Sequence, residues 1–251
     1  MKRIFAAALC AALFAAADAR AFVRETADGT GVPLYWPDQP VSYAINAPCA
    51  GSQEDAAVCL AAVQASFDTW TQPSCTVLRF DYQGTTDRTD VGYLNDPGAD
   101  NVNLVIWHLQ DWPAAYGTQA LALTTNTYDP STGIIVDSDL EVNGVDYLWR
   151  VLATEDTRYM DIANTITHEA GHFIGLDHVK DPGETMYPTA PPGEISKRVL
   201  SPDDIDGVCS IYPVAGYDGG GAGDGGGGGD DGGGLFGTAG ACGCTTVGIG
   251  F

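Results

Sequence analysis

Apolar and polar positions change period several times along this chain, and each change marks an element. Residues 41–45 (Val-Ser-Tyr-Ala-Ile) alternate, which predicts a strand at a sheet edge. Between Cys59 and Trp70 the apolar residues Leu60, Val63, Phe67 and Trp70 recur every three or four positions, predicting a helix packed on that sheet. Residues 77–80 and 102–107 are short apolar runs that read as further strands. Residues 120–127 and 133–142 read as two more, joined by the turn Asp129-Pro130-Ser131-Thr132-Gly133. The period then becomes helical, with Ile162, Ile166 and Phe173 on one face and no breaker before Gly171. Ser201, Pro202, Asp203 and Asp204 predict the start of a last helix: a hydroxyl cap, a proline in the first turn, and acids at the positive end of the dipole. This order of elements describes an α+β domain over residues 22–213, long enough to bury a core of its own.

The two ends differ from that middle. Lys2 and Arg3 precede an apolar run over residues 4–17, and small residues follow at Ala17-Asp18-Ala19 and Ala19-Arg20-Ala21. That is the pattern of a signal peptide over residues 1–21, with Phe22 as the first mature residue. The run is too short to span a bilayer, and no later stretch is longer, so no membrane span is expected in the mature chain and secretion is. Residues 214–251 are expected to be a disordered linker and a short tail. Residues 216–234 are almost wholly Gly and Asp, which cannot bury enough apolar surface to fold, and Cys242 and Cys244 follow.

Charge narrows the partners. The chain has 33 acidic against 11 basic residues, a formal charge of -22. Nucleic acid and anionic membrane both require basic patches, so neither is an expected partner. In an exported protein Cys49, Cys59, Cys75 and Cys209 are expected to form two disulfides, whose connectivity the sequence leaves open. A monomer is expected.

The chemistry is concentrated at His168-Glu169-Ala170-Gly171-His172-Phe173-Ile174-Gly175-Leu176-Asp177-His178. Two histidines four apart leave a helix from one face, one turn apart, so both rings reach a single ion. Gly175 offers the positive-φ position at which the helix can stop, returning His178 as a third ligand. Three neutral imidazoles leave one corner of a tetrahedron open, the pattern of a catalytic rather than a structural Zn2+. Glu169, rotated off the ligand axis, is placed to act as general base on water at that corner.

H-E-x-x-H-x-x-G-x-x-H followed by Thr185-Met186-Tyr187-Pro188 resembles the metzincin signature, and the form Met-Tyr-Pro is similar to its matrixin branch, the matrix-metalloprotease-like family, here of a bacterial secreted type. The stretch from Leu200 to Tyr212 resembles that family's last helix. The resemblance covers residues 22–213, with its specific motifs in the C-terminal third. It implies a metzincin-like catalytic domain: a twisted mixed sheet with a backing helix, an active-site helix ending at a glycine turn, a Met-turn and a C-terminal helix. It implies a secreted zinc endopeptidase with a protein or peptide substrate, Met186 as the floor beneath the metal, and a substrate pocket lined from Tyr187 and Pro188 onward. By position, residues 120–124, approached through Tyr116 and Gly117, would be the edge along which an extended substrate pairs. An acid at Asp203 or Asp204 would pair with the freed amine of Phe22.

Some features depart from that family. No cysteine-bearing prodomain fits between Phe22 and the first strand. Only His108 remains for a second zinc, and a packed or surface histidine is the expected role for it. Asp96, Asp100, Asp137, Asp139 and Glu141 offer hard oxygen ligands for Ca2+, with solvated loop charge as the simpler account. Two rival functions use the same residues: a catalytically silent zinc-bearing binding or adhesion module, which would be expected to lack Glu169, and a zinc amidase acting on a cell-wall cross-link.

Overall fold

The computed structural model describes residues 22–46, 52–96 and 98–218, and the backbone of residues 242–250. Residues 1–21, expected to be a signal peptide, and residues 219–241 lie outside the described residues. In chain order the elements are β1 (Val23–Arg24), β2 (Val41–Asn46), α1 (Ala56–Thr69), β3 (Phe80–Thr86), β4 (Leu104–His108), β5 (Ala120–Tyr128), β6 (Ile135–Asn143), β7 (Trp149–Arg150), β8 (Met160–Asp161), α2 (Ile162–Phe173), β9 (Leu176–Asp177), β10 (Thr189–Ala190), α3 (Pro202–Ile211) and β11 (Cys242–Gly250).

One mixed sheet dominates, in the order β10-β11-β5-β6-β4-β2-β3. β3, β2, β4 and β6 run parallel to their neighbours, whereas β5 is antiparallel to β6 through the predicted turn. β4 shows why it sits in the middle. Val105 and Trp107 enter the main core and Leu104 and Ile106 the opposite face, so the strand is apolar on both sides. The main core joins that sheet to α1 and α2 through an aromatic cluster: Tyr43 stacks on Phe67 at 4.2 Å, and Phe67 meets Phe173 edge-on at 5.3 Å.

Two sequence expectations are corrected. Residues 41–46 are not an edge strand; β2 lies between β4 and β3, and five of its six residues are buried. The actual edge is β3, which begins where residues 77–80 were expected to form a strand and continues through Asp81, Gln83 and Thr85. None of its residues is fully buried, so its apolar signal is weak. The second correction concerns β5, expected to offer an open edge: its outer side is covered by β11.

Three of the four cysteines expected to pair, Cys59, Cys75 and Cys209, are disulfide-bonded, and Cys49 lies outside the described residues. Cys75 is bonded to Cys209 across 134 residues, tying the segment before β3 to α3. The folded unit also runs a little beyond residue 213, because Val214 donates to the Cys75 carbonyl and Tyr217 packs against the main core. No helix among the described residues is long and apolar enough to cross a membrane.

Candidate metal centre

α2 is set in place at both ends before any ligand is considered. At its start Asp161 caps the helix, accepting from the Asn164 amide at 2.7 Å, and its carboxylate is also held by Arg198. At its end the carbonyls that a helix leaves without partners are taken up by side chains from three other segments. Asn126 of β5 donates to His172 O, Trp36 Nε1 to Phe173 O, and the Tyr212 hydroxyl to Ile174 O, all between 2.8 and 2.9 Å. On the α1 side, Trp70 Nε1 donates to Thr167 O at 2.8 Å.

Gly175 then turns the chain with φ +92, and a Cβ there would lie 2.6 Å from the Leu34 carbonyl oxygen. β9 follows at once and pairs with β1, and this pairing fixes the approach of His178. The glycine is required both for the backbone angle and for the close approach.

The three rings converge. His172 Nε2 lies 3.1 Å from His168 Nε2 and 3.0 Å from His178 Nε2, and the last two are 3.3 Å apart. Tetrahedral ligands about 2.0–2.1 Å from a zinc ion stand about 3.3 Å from one another, so the triangle is close to the size the ion requires. The other face of each buried ring settles the tautomer. His168 Nδ1 reaches the Thr185 carbonyl at 2.6 Å and His172 Nδ1 the Leu176 carbonyl at 2.8 Å. A carbonyl only accepts, so each Nδ1 carries the proton and each Nε2 presents a lone pair. Lone pairs directed at one another across 3 Å repel unless a cation lies among them.

Burial keeps the rings uncharged. It is the largest cause lowering the pKa of His168 and His172 well below the ordinary histidine value, helped by the charge of Lys197. It takes His178 down to about 4, against an opposing pull from Asp177. Neutral imidazoles are the form that binds metal. Among the described residues this trio is the one gathered set of three or more potential metal ligands.

Glu169 is fully buried, and its Oε2 accepts the Thr124 hydroxyl at 2.6 Å. Met186 is also buried and lies against α2 at Gly171: a Cβ on that glycine would come within 2.3 Å of the methionine sulfur. Sequence reasoning missed Lys197. It is 3% exposed, its amide donates to Asn164 Oδ1 of α2, and its Nζ donates to the carbonyls of Tyr187 and Thr189. The lysine thus ties the segment after the Met-turn to the metal helix. Tyr187 lines a cleft of about 300 Å³ with Thr157, Thr189, Pro191 and Glu194, and Pro188 is not part of that lining.

Two of the five acids named for calcium, Asp139 and Glu141, are occupied by protein donors. Asp139 accepts from the Gly92 and Leu104 amides, and Glu141 takes both Tyr116 and His108, the latter at 2.6 Å. His108 is therefore a half-buried partner of Glu141, whose hydrogen bond raises its pKa. Asp203 accepts the backbone N–H of Phe22, which places the expected mature N-terminus beside α3.

Residues 114–213, which include the metal helix, the Met-turn and α3, match the sequence profile of the matrixins. Over those residues the chain is matrixin-like in sequence. The chain is 28% identical to human neutrophil collagenase over 151 residues, which cover 60% of the chain and 28% of that protein. It is 28% identical, over the same extent, to the macrophage metalloelastase of Oryctolagus cuniculus. Over 58 residues it is 40% identical to metalloendoproteinase 1 of Glycine max, covering 23% of the chain and 19% of that protein. The chain thus aligns with less than a third of the length of these relatives. The family is zinc-dependent, and the three-histidine cluster fits that metal.

Proposed function

We propose that this chain is a matrixin, a secreted zinc endopeptidase in which His168, His172 and His178 hold the metal and Glu169 is the general base. The observation that carries the reading is the triangle of Nε2 atoms, 3.0 to 3.3 Å on each side, at the helix that also bears Glu169. Zinc bound there supplies Lewis acidity and lowers the pKa of a coordinated water to about 7.

The chain's own residues do the rest. His168 and His172, fixed by the Thr185 and Leu176 carbonyls, present the ligand nitrogens without needing to reorganise. Thr124 holds one oxygen of Glu169 by a hydrogen bond that fixes the carboxylate's orientation. Glu169 takes the proton of the attacking water and returns it to the departing amine. Backbone of β5 on one side and of the segment at Thr189 on the other would offer hydrogen-bonding edges to an extended peptide only with β11, which pairs with both, displaced. Export is supported by the residues 1–21 pattern and by the disulfides.

The test is Glu169→Gln. The variant is expected to bind one zinc per chain, measured by atomic absorption, and to hydrolyse an unstructured protein at least about 100-fold more slowly than the parent. Full-rate cleavage by the zinc-loaded variant would rule out the base assignment.

A further inference from the structure

The C-terminal segment lies where a substrate would have to pair. β11 is inserted between β5 and β10, parallel to the first and antiparallel to the second. Its partners along β5 run from Gly243 opposite Ala120 to Gly250 opposite Tyr128, with a register shift between Gly243 and Thr245. At its start it is paired on both sides at once, because Gly243 and Cys242 also face Thr189 and Ala190 of β10. All nine residues of β5 are buried, an unusual condition for a strand that carries Thr124, Thr125, Asn126 and Thr127.

Without β11, β5 and β10 would face each other with rows of unpaired backbone donors and acceptors, a slot for one extended chain. The slot is a firm one. Lys197 holds the carbonyls of Tyr187 and Thr189 on the β10 side, and β6 backs β5 on the other. The strand in the slot passes the site itself: Thr246 is the register partner of Thr124, whose hydroxyl holds Glu169.

We propose that residues 242–250 are a built-in occupant of the substrate slot, and that the chain is held back from its substrates until this strand leaves β5. The proposal rests on the peptidase reading given above. Because backbone pairing is indifferent to side chains, a foreign peptide and β11 compete for the same edge, and the two cannot pair with it together. Being part of the same chain, β11 competes at a strength that does not fall on dilution. An intramolecular competitor multiplies the apparent KM and leaves kcat nearly unchanged, so its release raises kcat/KM through KM.

The test uses the full-length chain with Thr246→Pro and Val247→Pro together. Adjacent residues of a strand direct their N–H groups to opposite sides, so whichever faces β5 is removed, while nothing in β5 or α2 is altered. Two quantities are compared with the parent: amide hydrogen exchange along residues 120–128, and steady-state cleavage of casein. The expected result is faster exchange at alternate β5 amides and a rise in kcat/KM of tenfold or more, carried by KM. A synthetic peptide of residues 241–251 should then inhibit the variant competitively. Unchanged protection of β5 would overturn the docking. Lost protection with unchanged or lower kcat/KM in an enzyme that does cleave would overturn the inhibition. Lost protection in a chain that cleaves nothing in either form would sink the peptidase reading and support the docked strand alone.

Discussion

Gly171→Ala separates two effects of opposite sign. In the middle of a helix, alanine in place of glycine is worth about 1 kcal/mol of added stability. Here the new Cβ would lie 2.3 Å from Met186 Sδ, 3.0 Å from Met186 Cε and 2.8 Å from Trp70 Cζ2, against about 3.5–4.0 Å for ordinary contact. Trp70 cannot yield, since it is fully buried and tied to the Thr167 carbonyl. Met186 must therefore move by more than 1 Å, and it cannot move alone. Its carbonyl accepts the Val179 amide just after His178, and the preceding carbonyl, of Thr185, orients His168. Overpacking of this kind costs about 1–3 kcal/mol, and the depth of the sulfur overlap puts this site at the upper end. The net expectation is about 2 kcal/mol of destabilisation, or a fall in Tm of about 4–8 °C for a domain of this size. Zinc affinity should fall about 10- to 100-fold, as when a group that orients a ligand is disturbed. Thermal unfolding of apo and zinc-loaded protein, with zinc titration against a competing chelator, measures both. Adding Met186→Ala should recover part of the loss, with a coupling of at least about 0.5 kcal/mol. A Gly171→Ala chain that melts higher than the parent would refute the packing argument, because helix propensity would then have won.

Glu25 sets a pH dependence of stability. Burial is the main cause that raises its pKa from 4.5 to about 8, so the folded chain keeps a proton that the unfolded chain has lost across that window. Stability is therefore fully present below about pH 4.5 and is lost as pH rises through 8, by at most about 1.4 kcal/mol per pH unit. Glu25→Gln should flatten this part of the urea-denaturation profile and be the more stable form at pH 8.5; a profile parallel to the parent's would count against it. A slope of the same sign from Asp137, also raised to about 8, should remain. Replacing Cys75 and Cys209 together by alanine opens a loop of 134 residues, whose closure entropy is worth about 5 kcal/mol. The double variant should unfold at markedly lower urea concentration, and an unchanged midpoint would show that the cross-link contributes little.

Much of the site was legible because its chemistry depends on short spacings. Two histidines four positions apart, a glycine three further on and a third histidine after it specify one helix, one turn and one convergence point, and all three rings meet where the spacing implies. Helices α1, α2 and α3 were readable for a similar local reason, since period and caps are written within a dozen residues. The strand order was not. The alternation in residues 41–45 is the same whether one neighbour or two lie alongside, and only the assembled sheet placed β2 inside and β3 at the rim. Thr124, Asn126 and Lys197 gave no signal at all, because each acts on α2 or the Met-turn from 33 to 46 residues away or through carbonyls of no fixed side chain. The same holds for the tail. Composition could say that residues 216–234 do not form a core, but which edge receives residues 242–250 is decided by the backbone groups that β5 and β10 leave unpaired, and those exist only once the sheet has formed.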